Sequence, residues 1–184
     1  MGKSIIIVGV IIGFMSLFGI GNYNSLKSAQ IEVENQYSQV ENQIQRRADL
    51  IPNLISTVKG YMQYEEKVLN EVTEARTKVM QADNIHDKIE ASVELTSALN
   101  RLIAVSENYP DLKANTQFTE LMREIAGSEN RIAVARRDFN NAVRNYNLET
   151  ETFPGNIFSG IFGFIKMKAF EADESAHEVP KVEF

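Results

Sequence analysis

The chain has no cysteine and no tryptophan, and only two histidines and four prolines in 184 residues. Without cysteine there are no disulfides, thiolate metal sites or cysteine nucleophiles, a composition compatible with either side of a bacterial membrane. Basic residues are outnumbered, with 19 Lys and Arg against 25 Asp and Glu for a net charge of −6. A whole-chain attraction to nucleic acid is therefore not expected. The hydrophobic fraction of 43% is enough for one domain to build a core without staples. Prolines 52, 110, 154 and 180 serve as punctuation.

The most ordered writing lies in residues 117–152. Phe118, Leu121, Ile125, Ser128, Ile132, Ala135, Phe139, Ala142 and Tyr146 alternate steps of three and four, an apolar seam that suits a helix and no strand. Asn115 or Thr116 can cap its start, and Phe153-Pro154-Gly155 stops it. The spacing predicts a rod of about 35 residues, or roughly 50 Å at 1.5 Å per residue. One narrow stripe on so long a rod requires partner helices along most of its length.

From Ser4 to Leu26 no residue is charged, and residues 5–21 are apolar except for Ser16. That run of about 17 residues is at the short end of what spans a hydrocarbon layer. It is read as a membrane anchor built on Ile5, Val8, Ile11, Phe14, Leu17 and Ile20, with the lipid bilayer as partner. A cleaved signal peptide is the alternative, but no small-x-small cleavage site follows the apolar core. Gly9 and Gly13 form a weak Gly-xxx-Gly spacing. Lys3 against Lys27 slightly favours an amino terminus in the cytoplasm and the larger part outside.

A second rod follows the anchor, with Leu26, Val33, Tyr37, Val40, Ile44 and Ile51 in its seam and Arg47 among them. Pro52 predicts a break or bend between about residues 48 and 51, with Asp49 as a ready cap. A third rod is expected from Leu54 to Val79 across Gly60, and a fourth from Ile85 to Leu102, closed by Asn108-Tyr109-Pro110-Asp111. Short connections make neighbours antiparallel. The expected fold is all-α, an N-terminal transmembrane helix continuing into an antiparallel four-helix bundle of long helices. The expected division is an anchor over 1–24, a bundle over 25–152, an apolar segment over 153–170 and an acidic, mobile tail over 171–184.

The apolar segment is uncharged until Lys166, too short to span a membrane and very apolar for a solvated tail. It either packs on a bundle end or a neighbouring subunit, or dips into the bilayer interface. Catalytic chemistry is not expected. A di-iron bundle needs two Glu-x-x-His pairs on facing helices, and no such pair falls within the rods. His86, with Asp83 and Glu90 nearby, offers only one half of a metal site. No Gly-x-Ser-x-Gly turn occurs, so no cofactor, metal or nucleophile is assigned. The candidate interaction residues are Arg46, Arg47, Asp49, Arg131 and Arg136, with Phe158, Phe162 and Phe164. Arg47 stands out because a charge in a seam must be paired or sit at the bundle edge.

Several segments together resemble the LemA family of bacterial membrane-anchored proteins. They are Tyr23-Asn24-Ser25-Leu26, Arg46-Arg47-Ala48-Asp49-Leu50-Ile51-Pro52-Asn53-Leu54, Thr57-Val58-Lys59-Gly60-Tyr61 and Val72-Thr73-Glu74-Ala75-Arg76. Further on come Tyr109-Pro110-Asp111-Leu112-Lys113-Ala114-Asn115, Glu129-Asn130-Arg131-Ile132-Ala133 with Ala135-Arg136, Tyr146-Asn147, Phe153-Pro154-Gly155-Asn156 and Pro180-Lys181-Val182-Glu183-Phe184. The resemblance implies an amino-terminal membrane helix, a helical bundle and no established activity. It also implies kinship with proteins that act in building magnetosome membranes, and gene neighbourhoods shared with membrane proteases. The expected function is a single-pass, self-associating scaffold or adaptor in the bacterial inner membrane. It would form a homo-oligomer larger than a dimer and take a membrane protease or other membrane protein as a further partner. The alternative is a membrane-attached bundle that senses a ligand between its helices.

Overall fold

The computed structural model describes residues 2–62 and 64–170, the side chains of residues 2–5, 8, 11, 12 and 14 excepted. Among the described residues the chain is all-helical: α1 (Gly2–Lys59), α2 (Glu66–Gln81), α3 (Ile85–Ser106), α4 (Pro110–Lys113), α5 (Thr116–Glu151) and α6 (Gly155–Phe162). It divides into two compact units, one of Met1–Glu34 with Phe139–Phe184, the other of Asn35–Asp138.

The expected break before Pro52 does not occur, and α1 runs on to Lys59 with Pro52 inside it. A proline within a helix has no N–H for the carbonyl four residues back. That carbonyl belongs to Ala48, which is fully buried, and Arg76 of α2 takes it up, its Nε donating to Ala48 O at 3.0 Å. The interruption falls instead at Gly60, so the expected third rod is two pieces. The amides of Tyr61 and Met62 both return to Val58 O, at 2.9 and 3.0 Å, closing α1 with a turn before α2 begins.

The remaining boundaries have local causes. Asn84 caps α3, its Oδ1 accepting from Asp87 N at 3.0 Å. Pro110 opens α4, where its missing N–H would have no helical partner. Asn115 caps α5 by accepting from Phe118 N at 3.0 Å. Gly163 ends α6 in the left-handed conformation, at φ 76°.

In the unit of residues 35–138 the core is a set of complementary stripes. Val40, Ile44, Ile51, Leu54 and Val58 of α1 are buried, as are Leu69, Val72 and Val79 of α2, Leu95, Leu99 and Leu102 of α3, and Phe118, Ile125 and Ile132 of α5. Contacts at Arg76 with Ala48 and at Met80 with Gln45 set α2 antiparallel to α1. Those of Lys78 with Glu94 and Arg101 with Glu71 set α3 antiparallel to α2. Arg101 and Glu71 approach at 3.0 Å without the alignment of a hydrogen bond. Such surface pairs contribute at most about 1 kcal/mol each, so the apolar stripes carry the stability.

In the other unit, Leu26 and Val33 of α1 are buried, as are Phe139, Val143 and Tyr146 of α5. Ser25 donates to Glu149 at 2.9 Å. Beyond α6 the chain leaves helical structure and is held on α5 as far as Phe170. The acidic tail expected over 171–184 lies outside the described residues.

Candidate functional site

Arg47 is buried, its side chain 4% exposed, and forms an ion pair with Glu129 of α5, whose side chain is 47% exposed. Its Nη1 also donates to Thr96 Oγ1 of α3 at 2.9 Å, while Nε has no acceptor. The Thr96 hydroxyl lies 3.0 Å from Ser92 O and 3.1 Å from Glu129 Oε2, so one proton serves either acceptor. Burial pushes the guanidinium below its ordinary pKa, and the neighbouring carboxylate opposes that shift. Arginine stays charged at any physiological pH, so the cluster is a fixed, half-shielded pair and not a proton carrier.

Other residues of the segments singled out above also find one another. Arg76 meets Ala48 and Asn115 Nδ2 donates to Tyr61 OH at 3.0 Å, while Tyr109 OH donates outside those segments, to Glu65 at 3.2 Å. Burial is the first cause of a raised pKa at Tyr109, with the Glu65 carboxylate adding to it. Arg46 and Asp49 are exposed, and Asp49 accepts from Gln45 at 2.9 Å. Arg131 is exposed and its guanidinium lies over Gly127, 3.3 Å from where a Cβ there would be. Arg136 is half-buried, and Arg137 pairs with Asp138 at 3.0 Å.

Beside these arginines a groove of about 360 Å³ runs between α1 and α5, with Gln36, Gln39 and Gln43 on one wall and Asn130, Arg131, Val134, Ala135 and Asp138 on the other. Gln43 Oε1 is buried there without a donor. Among the described residues no group of three or more His, Asp and Glu is placed to hold a metal ion.

The three phenylalanines come together in the other unit. Phe158 packs edge-on to Phe18 at 5.9 Å, Phe162 edge-on to Tyr23 at 5.1 Å, and Phe164 lies 5.8 Å from Tyr23. The Phe158 ring lies over Gly19, where an added Cβ would meet it at 3.5 Å, an ordinary contact. Leu17 and Ile20 are exposed; the side chains of Ile5, Val8, Ile11 and Phe14 lie outside the described residues. Among the described residues no helix is long and apolar enough to cross a membrane.

Sequence reasoning missed the devices that hold residues 164–170. Asn147 bonds both ways to Met167, donating to its carbonyl at 2.8 Å and accepting from its amide at 2.9 Å. Asn140 does the same with Phe170, at 3.0 and 2.8 Å. Seven helical residues rise about 10.5 Å and three extended ones about 10 Å, so asparagines a heptad apart match every third residue of an extended strap. Tyr146 OH donates to Ile165 O at 2.9 Å, and Phe139 stacks on Phe170 at 4.4 Å. The signal was present as Asn140 and Asn147 beside a seam, but a helix surface gives many reasons for asparagine.

Fold and polar cross-bracing together define an all-α protein of long helices with a buried arginine paired across three of them. The LemA family model matches residues 36–184, and the chain belongs to the LemA family. It is 26% identical over 164 residues to Protein LemA of Metamycoplasma hominis, spanning 89% of this chain and 75% of that protein. It is also 25% identical over 184 residues to a magnetosome protein MamQ of Paramagnetospirillum magneticum, spanning 86% of this chain and 67% of that protein. With the magnetosome protein MamQ of Magnetospirillum gryphiswaldense the identity is 23%, spanning 86% and 65% respectively.

Proposed function

We propose that this protein is a single-pass, self-associating helical scaffold or adaptor of the bacterial inner membrane, with no turnover of its own. In this reading residues 4–26 cross the bilayer, the helices of residues 35–138 act as an antiparallel four-helix bundle, and the bundle offers a docking surface to further copies and to membrane proteins such as a protease. The observation that carries it is the character of α1, one helix from Gly2 to Lys59 whose charge-free run from Ser4 to Leu26 exposes Ile6, Ile7, Val10, Leu17 and Ile20. A row of uncovered aliphatic side chains on a helix requires a non-aqueous neighbour. Kinship with proteins named for the magnetosome agrees with a role at membranes.

A second reading, a ligand sensor, is favoured by the amide-lined groove and the unpartnered Gln43 Oε1. The test of the first is alkaline carbonate extraction of membranes containing the full chain, followed by intact mass. The expected result is protein retained in the pellet at the mass of residues 1–184. Loss of the first twenty or so residues, or release into the supernatant, would overturn the anchor.

A further inference from the structure

We infer that Phe153, the exposed isoleucines of α6 and Ile165 form a second membrane contact, an apolar stripe that enters the acyl boundary beside the point where α1 leaves the bilayer. The inference rests on the anchor reading above. Phe153, Ile157, Ile161 and Ile165 recur every four residues and are 80%, 52%, 67% and 76% exposed. Ile157 and Ile161 lie four apart within α6 and share one face, with Phe153 just before the helix and Ile165 just after it extending the apolar surface. The opposite side of α6 is occupied, with Ser159 donating to Thr150 O at 2.9 Å and Phe158 and Phe162 on α1. The stripe is therefore not a docking face for its own unit.

The occupant follows from depth. Phe158 and Phe162 are seated on Phe18 and Tyr23, which flank the end of the apolar run at Gly21. Residues 18 to 23 of a helix span roughly 7.5 Å, about the depth of the headgroup and outer acyl zone. If α1 is in the bilayer, a stripe fixed to those residues is at that level without needing another protein. The chemistry suits it: no charge occurs from Phe153 to Ile165, Tyr23 is an interface aromatic, and Lys168 is exposed just beyond. The burial also answers an energetic requirement, since uncovered isoleucines in water forgo the stabilisation that any apolar neighbour supplies.

The absence of tryptophan makes the test direct. Ile161→Trp, Ile157→Trp and Leu17→Trp each give the full-length protein a single reporter, read in phosphatidylcholine and phosphatidylglycerol vesicles brominated near the glycerol end or near the methyl end of the acyl chains. The inference expects roughly twofold quenching of both α6 reporters by the shallow bromines and less by the deep ones, as for an interfacial segment. Quenching of Leu17→Trp with none at positions 157 and 161 would overturn the inference and leave the anchor standing. Blue-shifted but unquenched emission at 157 and 161 would show protein covering the stripe and also overturn it. No quenching at any of the three would remove both readings.

Discussion

The carbonyl of Ala48 offers a sharp test of how α1 passes Pro52. Ala48 is fully buried, its normal helical donor is missing, and Arg76 Nε replaces it at 3.0 Å. Arg76→Met keeps much of the aliphatic stem and removes the donor. A buried acceptor left without a partner costs about 1–3 kcal/mol, and the middle of that range lowers the melting temperature of a chain this size by roughly 4–8 °C. Pro52→Ala restores a backbone N–H to the same carbonyl, so in that background Arg76→Met is expected to cost less than about 0.5 kcal/mol. The coupling in the double-mutant cycle is then about 1–2 kcal/mol. Thermal and urea melts of the four full-length proteins in one mild detergent measure it. Equal costs of Arg76→Met in both backgrounds would refute the account, because the arginine would be stabilising something other than the acceptor that proline leaves open.

Asn140→Ala with Asn147→Ala is expected to release residues 164–170 from α5, speeding amide exchange at Met167 and Phe170 by about 5- to 150-fold for about 1–3 kcal/mol of lost hydrogen bonding. Gly155→Ala places a Cβ 1.9 Å from Glu149 O, a clash with backbone that displaces α6 at a cost of about 1–3 kcal/mol, whereas Gly19→Ala meets only an ordinary contact and leaves the melt unchanged. Tyr146 is 1% exposed, and burial holds its phenol above the ordinary tyrosine value. Its stabilising effect is complete below about pH 10 and is lost as pH rises through the higher folded value. Alkaline melts should therefore fall more steeply for the wild type than for Tyr146→Phe.

The α5 rod was legible because a seam from Phe118 to Tyr146 repeats without interruption, and a helix is the one structure that gathers such a repeat on one face. The passage of α1 through Pro52 was not, since the arginine that makes it possible lies 28 residues away on another helix. Arg47 marked itself as a charge in a seam, but its contact with Glu129 spans 82 residues and depends on how helices pack. The segments that carry the family likeness thus brace one another at 47 with 129, 48 with 76 and 61 with 115. Local pattern shows that each matters, and only tertiary structure shows which pairs with which. Gly60, expected inside a rod, is the stop, because an intrinsic cost of about 1 kcal/mol decides the outcome where the next residues can form a turn.

The central claim is assembly in the membrane, and the most direct measurement is the mass of the full-length protein extracted into native-lipid nanodiscs, compared with protein lacking residues 153–184. The account predicts particles holding more than two copies for the full chain and fewer copies for the truncated one, with the helical circular dichroism melt of the remainder little changed. A full-length protein found as one copy per nanodisc at membrane-like density would contradict the scaffold and move the groove beside Gln43 and Arg131 to the centre of the function.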